Sequence, residues 1–178
     1  MIKFTYDLNA AAVEKALQAF PAALADATPA LRRIADDFRE MLTQQFASQG
    51  RAEGTPWAAL APSTARRRGP GATILYSTGA LLRSLRDPGA PDHVEELAYQ
   101  SLTLGSRLGY ALYHQTGAGR GFGLTQLSAP APSGTGRGRA LPRRPIIVLS
   151  GARTERWVEM VRQQIEEKML LLGGKELG

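Results

Sequence analysis

The stretch from Gly117 to Leu141 constrains this chain most. It is rich in glycine, proline, serine and threonine, which favour turns and loops over helix or strand interiors. A connection of that length inside a compact domain is usually functional or disordered. It reads as a long arm, so the packed elements must come from either side of it. Seven of the chain's 19 glycines and two of its 11 prolines fall in these 25 residues, which points to an extended arm rather than a loosely built core.

Before the arm, Ile2, Phe4 and Tyr6 alternate with Lys3, Thr5 and Asp7, the period of a short half-buried strand. Asn9 suits the cap of a helix over about 10–20, with Val13, Leu17 and Phe20 on one face. Pro21 breaks that run. Thr28-Pro29 is a strong helix start. From there Leu31, Ile34, Phe38, Met41 or Leu42, and Gln45 or Phe46 keep the helical repeat, and the pattern stops near Ser48-Gln49-Gly50, where Gly50 suits a C-cap.

Residues 50–74 look irregular, with a helical turn over 63–68. A short helix is expected over 78–85, carrying Leu81, Leu82 and Leu85. Asp87-Pro88-Gly89 has turn chemistry. Residues 93–100 and 101–105 alternate well enough for a hairpin, and 110–115 suits a short helix or strand. After the arm, Pro145 to Leu149 reads as a buried strand and 152–172 as a long helix with Trp157 or Val158, Val161, Ile165 and Met169 as its stripe. The expected class is α+β: a small antiparallel or mixed sheet packed by two long helices. We expect a single domain over 1–178 with an extended loop or arm at 118–141.

Chemistry is sparse. There is no cysteine, which removes disulfides, thiolate metal sites and cysteine nucleophiles and fits a reducing compartment. Nothing near the start resembles a signal peptide, and no apolar run approaches the ~20 residues of a membrane span, so a soluble protein without membrane contact is expected. His93 sits in a polar turn and is expected at the surface. His114 lies beside tyrosines, where a partly buried histidine bonding a backbone carbonyl is expected ahead of a catalytic base. Asp36-Asp37, Glu95-Glu96 and Glu166-Glu167 are adjacent pairs whose side chains diverge, so they read as solvated faces. Motifs for metal, dinucleotide or P-loop binding are missing, so no cofactor, metal or catalytic residue is expected. A small hydrolase using His114 would need a nearby nucleophile and acid, for which there is no motif. The net charge of +6 comes largely from arginine, clustered at Arg66-Arg67-Arg68 and at Arg137, Arg139, Arg143 and Arg144. That keeps open sequence-nonspecific nucleic-acid binding as the alternative function.

An ordered set of short motifs runs through the middle of the chain. Phe46 ends an amphipathic helix, followed by Gln49-Gly50 and Gly54-Thr55-Pro56-Trp57-Ala58-Ala59-Leu60. Then come Ser63-Thr64, Arg66-Arg67-Arg68, and Ile74-Leu75-Tyr76-Ser77-Thr78-Gly79-Ala80-Leu81-Leu82-Arg83-Ser84-Leu85. The set closes with Gly105-Ser106, Tyr110-Ala111, His114-Gln115-Thr116-Gly117 and Leu141-Pro142-Arg143-Arg144-Pro145. In this order the motifs resemble the phage virion morphogenesis family, the tail-completion proteins of Mu-like tailed phages. The chain departs from that pattern at Ile146, where the family usually has an aromatic, and at Ile147-Val148-Leu149.

The resemblance implies a non-enzymatic structural protein of a tailed phage virion, a neck or head-proximal tail component made in the host cytoplasm. It implies a homo-oligomeric ring, six-fold as a family-level expectation, that joins heads to tails through other neck and tail proteins. It also allows nonspecific contact with DNA in the channel. Trp57, Leu60, Gly79, Leu81, Tyr110, His114 and Pro145 are then expected as structural anchors. Arg120, Phe122, Leu124, Leu127, Arg137, Arg139, Arg143 and Arg144 are the candidate contacts to neighbouring subunits or partners. Ring subunits make heterologous contacts and need two different faces.

Overall fold

The computed structural model describes residue 21, residues 25–54, 56–117 and 141–174, the last three by backbone alone. The strand expected over 2–7, the helix over 10–20 and most of the arm lie outside the described residues. Among them are five helices and one two-stranded sheet: α1 Thr28–Ala47, α2 Pro62–Arg68, α3 Ala80–Arg86, β1 His93–Leu97, β2 Leu102–Ser106, α4 Gly109–Thr116 and α5 Gly151–Gly174. The class is α+β, with a small antiparallel sheet and two long helices. The chain divides into two compact units, residues 1–35, 97–102 and 151–178 in one, and 36–96 and 103–150 in the other. The boundary falls within α1 and within the hairpin.

In the first unit, the start of α1 is held by side chains. The Thr28 N–H donates to the Asp26 carboxylate at 2.9 Å, so Asp26 caps the helix where Thr28 was expected to. The Thr28 side chain, and then this backbone N–H, hold the Asp26 carboxyl below the usual carboxylate range. Gln164 of α5 is buried. Its amide nitrogen donates to the Asp26 carbonyl at 2.7 Å, and its amide oxygen accepts from the Ala30 N–H. Lys168 also donates to the Asp26 carbonyl. A polar side chain thus satisfies backbone groups that a helix start leaves open. Ala30 and Ala35 are buried, while the expected Leu31 and Ile34 are half-buried. On α5, Trp157, Val161, Ile165 and Met169 are half-buried, whereas Val158 is exposed.

In the second unit, Phe38, Met41, Leu42, Gln45 and Phe46 of α1 are buried. Their spacing of three and four residues makes one helical face. The helix closes with the Gly50 N–H on the Gln45 carbonyl (2.8 Å) and the Gln49 N–H on the Phe46 carbonyl (3.2 Å). This pair of bonds is a Schellman cap. Its left-handed residue is Gln49, at φ 53°, one position before the expected Gly50. Trp57, Ile74, Leu81, Leu85 and Ile146 complete the buried apolar set of this unit. Trp57 meets Phe46 edge-on, with ring centroids 5.1 Å apart, and its indole N–H donates to the Pro145 carbonyl at 2.6 Å.

The strand expected over 145–149 does not form. Its backbone finds side chains instead of a neighbouring strand. The Ile146 and Ile147 N–H groups donate to the Gln115 amide oxygen at 2.7 and 3.0 Å, and the Gln115 amide nitrogen donates to the Ile147 carbonyl at 2.7 Å. The Gln45 amide adds a 3.3 Å bond to the Pro145 carbonyl. An apolar run reads as a strand because its backbone must be paired when buried. Here two glutamines and a tryptophan supply the pairing.

Candidate functional site

A cleft of about 590 Å³ opens in the second unit. Four stretches line it: Ala59 to Ala61 with Thr64 and Arg68 of α2, Leu75 to Leu81 leading into α3, Tyr110 and His114 of α4, and Leu141, Pro142 and Arg144. Gly79 shapes the second stretch. It caps α3 at φ 75°, and an added Cβ there would lie 3.2 Å from the Tyr76 hydroxyl. Both the backbone angle and the space therefore call for glycine. Gly117, at φ 78°, ends α4 where a Cβ would meet the Arg143 nitrogen at 3.2 Å and the Leu141 carbonyl at 3.3 Å.

Arg144 is held in place. It is 5% exposed, and its guanidinium donates to the Ala58 carbonyl (Nε, 2.8 Å) and the Ala59 carbonyl (Nη2, 2.9 Å). Its backbone N–H donates to the His114 carbonyl at 2.7 Å. Burial and the nearby positive Arg68 lower its pKa from the usual guanidinium range. No carboxylate among the described residues pairs with it. A buried cation satisfied by backbone carbonyls is a structural clamp.

His114 differs. Its Nδ1 is buried and has no hydrogen-bond partner among the described residues. Burial, and then the charge of Arg144, push its imidazole below the ordinary value. Tyr110 lies one turn away, edge-on at 6.3 Å between ring centroids. The backbone-carbonyl bond expected for this ring therefore does not form at Nδ1. The ring lines the cleft, while this nitrogen is closed to solvent, so a ligand or a peptide could pair it only once the ring turned.

A second cluster lies in the same unit. His93 was expected at the surface, yet its side chain is 3% exposed. Its Nδ1 donates to the Ser84 carbonyl at 2.9 Å and its Nε2 sits 3.1 Å from the Glu95 carboxylate. Glu95 also bonds Arg39, which pairs with Asp36 at 2.6 Å. The Arg39 bond holds the Glu95 carboxyl below the usual range; burial opposes it, and the His93 bond adds a smaller lowering effect. Glu95 is thus no solvated carboxylate. His93 and Glu95 are two apart on β1 and share a face, and that spacing was the sequence signal for the pair. Ser84 completes the cluster, its hydroxyl bonding the Leu81 carbonyl and the Ser106 hydroxyl, both at 2.8 Å.

Leu60, Gly79, Leu81, Tyr110 and His114 all line the cleft, while Trp57 and Pro145 are buried and bonded to each other. Arg143 is exposed, with its Nε on the Gln115 carbonyl at 3.2 Å. Arg144 was grouped with the partner-facing arginines, but its guanidinium points to the chain's own backbone. Arg120, Phe122, Leu124, Leu127, Arg137 and Arg139 lie outside the described residues. No group of three or more His, Asp or Glu side chains placed to hold a metal ion occurs among the described residues, and no described helix is long and apolar enough to cross a membrane.

The described units thus make a small α+β protein with a part-apolar cleft. The model of the phage virion morphogenesis family matches residues 8–166. The chain belongs to that family, which carries a structural role in the bacteriophage virion. Neither a curated protein nor a solved structure matches it.

Proposed function

We propose that this chain is a tail-completion or neck component. It assembles as a ring at the head–tail junction and enables heads to join tails, acting by contact rather than by catalysis. Family membership over residues 8–166 is the observation that carries this reading. The structure supports it with one further feature. Gly117 and Leu141 stand side by side, within 3.3 Å for an added Cβ, so residues 118–140 leave and rejoin the second unit at one place. A segment anchored in this way suits contact with a neighbouring subunit or an adjoining neck ring.

Deleting residues 119–139 should leave a chain that still melts cooperatively, because the two stems already meet. Heads and tails should then accumulate unjoined. Fully infectious particles carrying that deletion would overturn the proposal. Arg137, Arg139 and Arg143 are the arginines offered here to an acidic partner or channel DNA, and reversing their charge should lower particle yield or DNA retention. Arg144 drops out of that set because it clamps Ala58 and Ala59.

The second reading is sequence-nonspecific nucleic-acid binding. It is favoured by α2, which buries no residue and presents Arg66, Arg67 and Arg68 in its last turn. It requires that the isolated protein bind DNA with an affinity that falls steeply with salt. Binding that ignores salt, or no binding, removes it.

A further inference from the structure

We propose that the cleft is the socket for the arm of a second copy of this chain, which inserts residues 122–127 between Leu60, Leu75 and Leu81 on one side and Tyr110, His114 and Leu141 on the other. This rests on the ring assembly proposed above and names the contact that would build it.

Three observations converge. The first is position: α4, whose Tyr110 and His114 line the cleft, leads directly into the arm, and Leu141, where the chain returns, lines it too. The second is chemistry. The cleft is lined mostly by leucine, alanine and other apolar groups, and Phe122, Leu124 and Leu127 are the large apolar residues of the segment. Its volume falls in the range of clefts that enclose a few side chains, about 300–1,000 Å³, and is too small for a helix pair. The third is the buried His114 Nδ1, which has no hydrogen-bond partner among the described residues. An extended peptide brings an N–H at every residue, which could pair that nitrogen once the ring, now holding it closed to solvent, turns toward the cleft.

The arm is long enough to reach a neighbour. Residues 118–140 number 23, and about 11 of them running outward span at most ~36–40 Å. A ring contact is heterologous and needs two different complementary faces on each subunit. An arm and a cleft on one chain provide such a pair.

The chain has no cysteine, so introduced thiols report without background. Ser77→Cys places one at an exposed position lining the cleft, and Thr125→Cys places one between the apolar residues of the arm. Purified full-length chains carrying one substitution each are mixed over a concentration series under mild oxidation. A disulfide-linked dimer should form at least tenfold above a control pairing Thr125→Cys with Ala52→Cys, an exposed position that does not line the cleft. Adding Phe122→Ala and Leu124→Ala to the Thr125→Cys chain should return the yield to the control level. His114→Phe in the Ser77→Cys chain should lower it severalfold.

A dimer yield no greater than the control overturns the proposal. So does a bond that forms only within one chain carrying both cysteines. Either result leaves the head–tail role standing, since a ring can use other surfaces. That role fails separately, if deletion of residues 119–139 leaves particles infectious.

Discussion

The chain has two histidines, and the structure treats them in opposite ways. His93 is enclosed by the second unit and has an oxygen partner at each ring nitrogen. His114 lines a cleft, and its buried Nδ1 has none among the described residues. The surroundings follow the same split. Around His93, charges of both signs meet: Arg39, Asp36 and Glu95 are linked by ion pairs. Around His114, Arg144 and Arg68 are both positive and no acid among the described residues pairs with Arg144, which satisfies backbone carbonyls instead. The His93 cluster is closed by these pairs except at the buried Arg39 Nε, which has no partner among the described residues, and such a cluster holds a fold together. One left open beside a cavity is where binding is to be sought.

The largest expected effect falls on the clamp beside His114. Arg144→Met keeps much of the apolar stem but leaves the Ala58 and Ala59 carbonyls without their donor. It should cost about 2–3 kcal/mol in urea unfolding. A loss below about 0.5 kcal/mol would mean that water replaces the guanidinium and that the clamp is not structural.

Glu95→Gln comes next. It removes the charge that Arg39 and His93 share, and because the pair is partly exposed the loss should be about 1 kcal/mol. The pH dependence has a definite sign. The Glu95 pKa is depressed in the folded state, so its contribution is full above the unfolded carboxylate value of about 4.3 and is lost as pH falls through the lower folded value. Glu95→Gln should therefore flatten the acid side of the stability curve. An unchanged acid limb would break the comparison at His93.

His114→Phe should be the mildest change, within about 1 kcal/mol in either direction, because no Nδ1 hydrogen bond is lost. By NMR the His114 ring should titrate below the ordinary histidine value of about 6.5. Because protonating the folded ring is disfavoured, the fold keeps its full stability above that value and loses some as pH falls toward the folded pKa. A ring titrating above 6.5 would mean that His114 has found an acceptor or an acid, and the contrast between the two histidines would disappear.

Several elements were legible without coordinates. The repeat of Phe38, Met41, Leu42, Gln45 and Phe46 marks α1, and all five are buried. Pro62–Arg68, the helix after Gly79 and the hairpin at 93–106 lie within a few residues of where their turn chemistry put them. The run Pro145 to Leu149 misled, because an apolar sequence reports that a backbone is buried and says nothing about what will pair it. Gln115, 31 residues away from Ile146 in sequence, does so. His93 misled in the same way. Its neighbours in sequence are polar, but its partners are the Ser84 carbonyl and Glu95.

By itself the sequence determined the two long helices and the α+β class, because periodicity, capping and turn residues act over a few positions of the chain, and its ordered motifs from Phe46 to Pro145 carried the resemblance to the family. Only the tertiary structure decided that Arg144 is a clamp, that His93 is enclosed and that His114 opens on a cleft. Those roles depend on which distant groups meet each side chain. Hydrogen bonds and ion pairs between residues far apart in sequence leave no local pattern for a sequence to display.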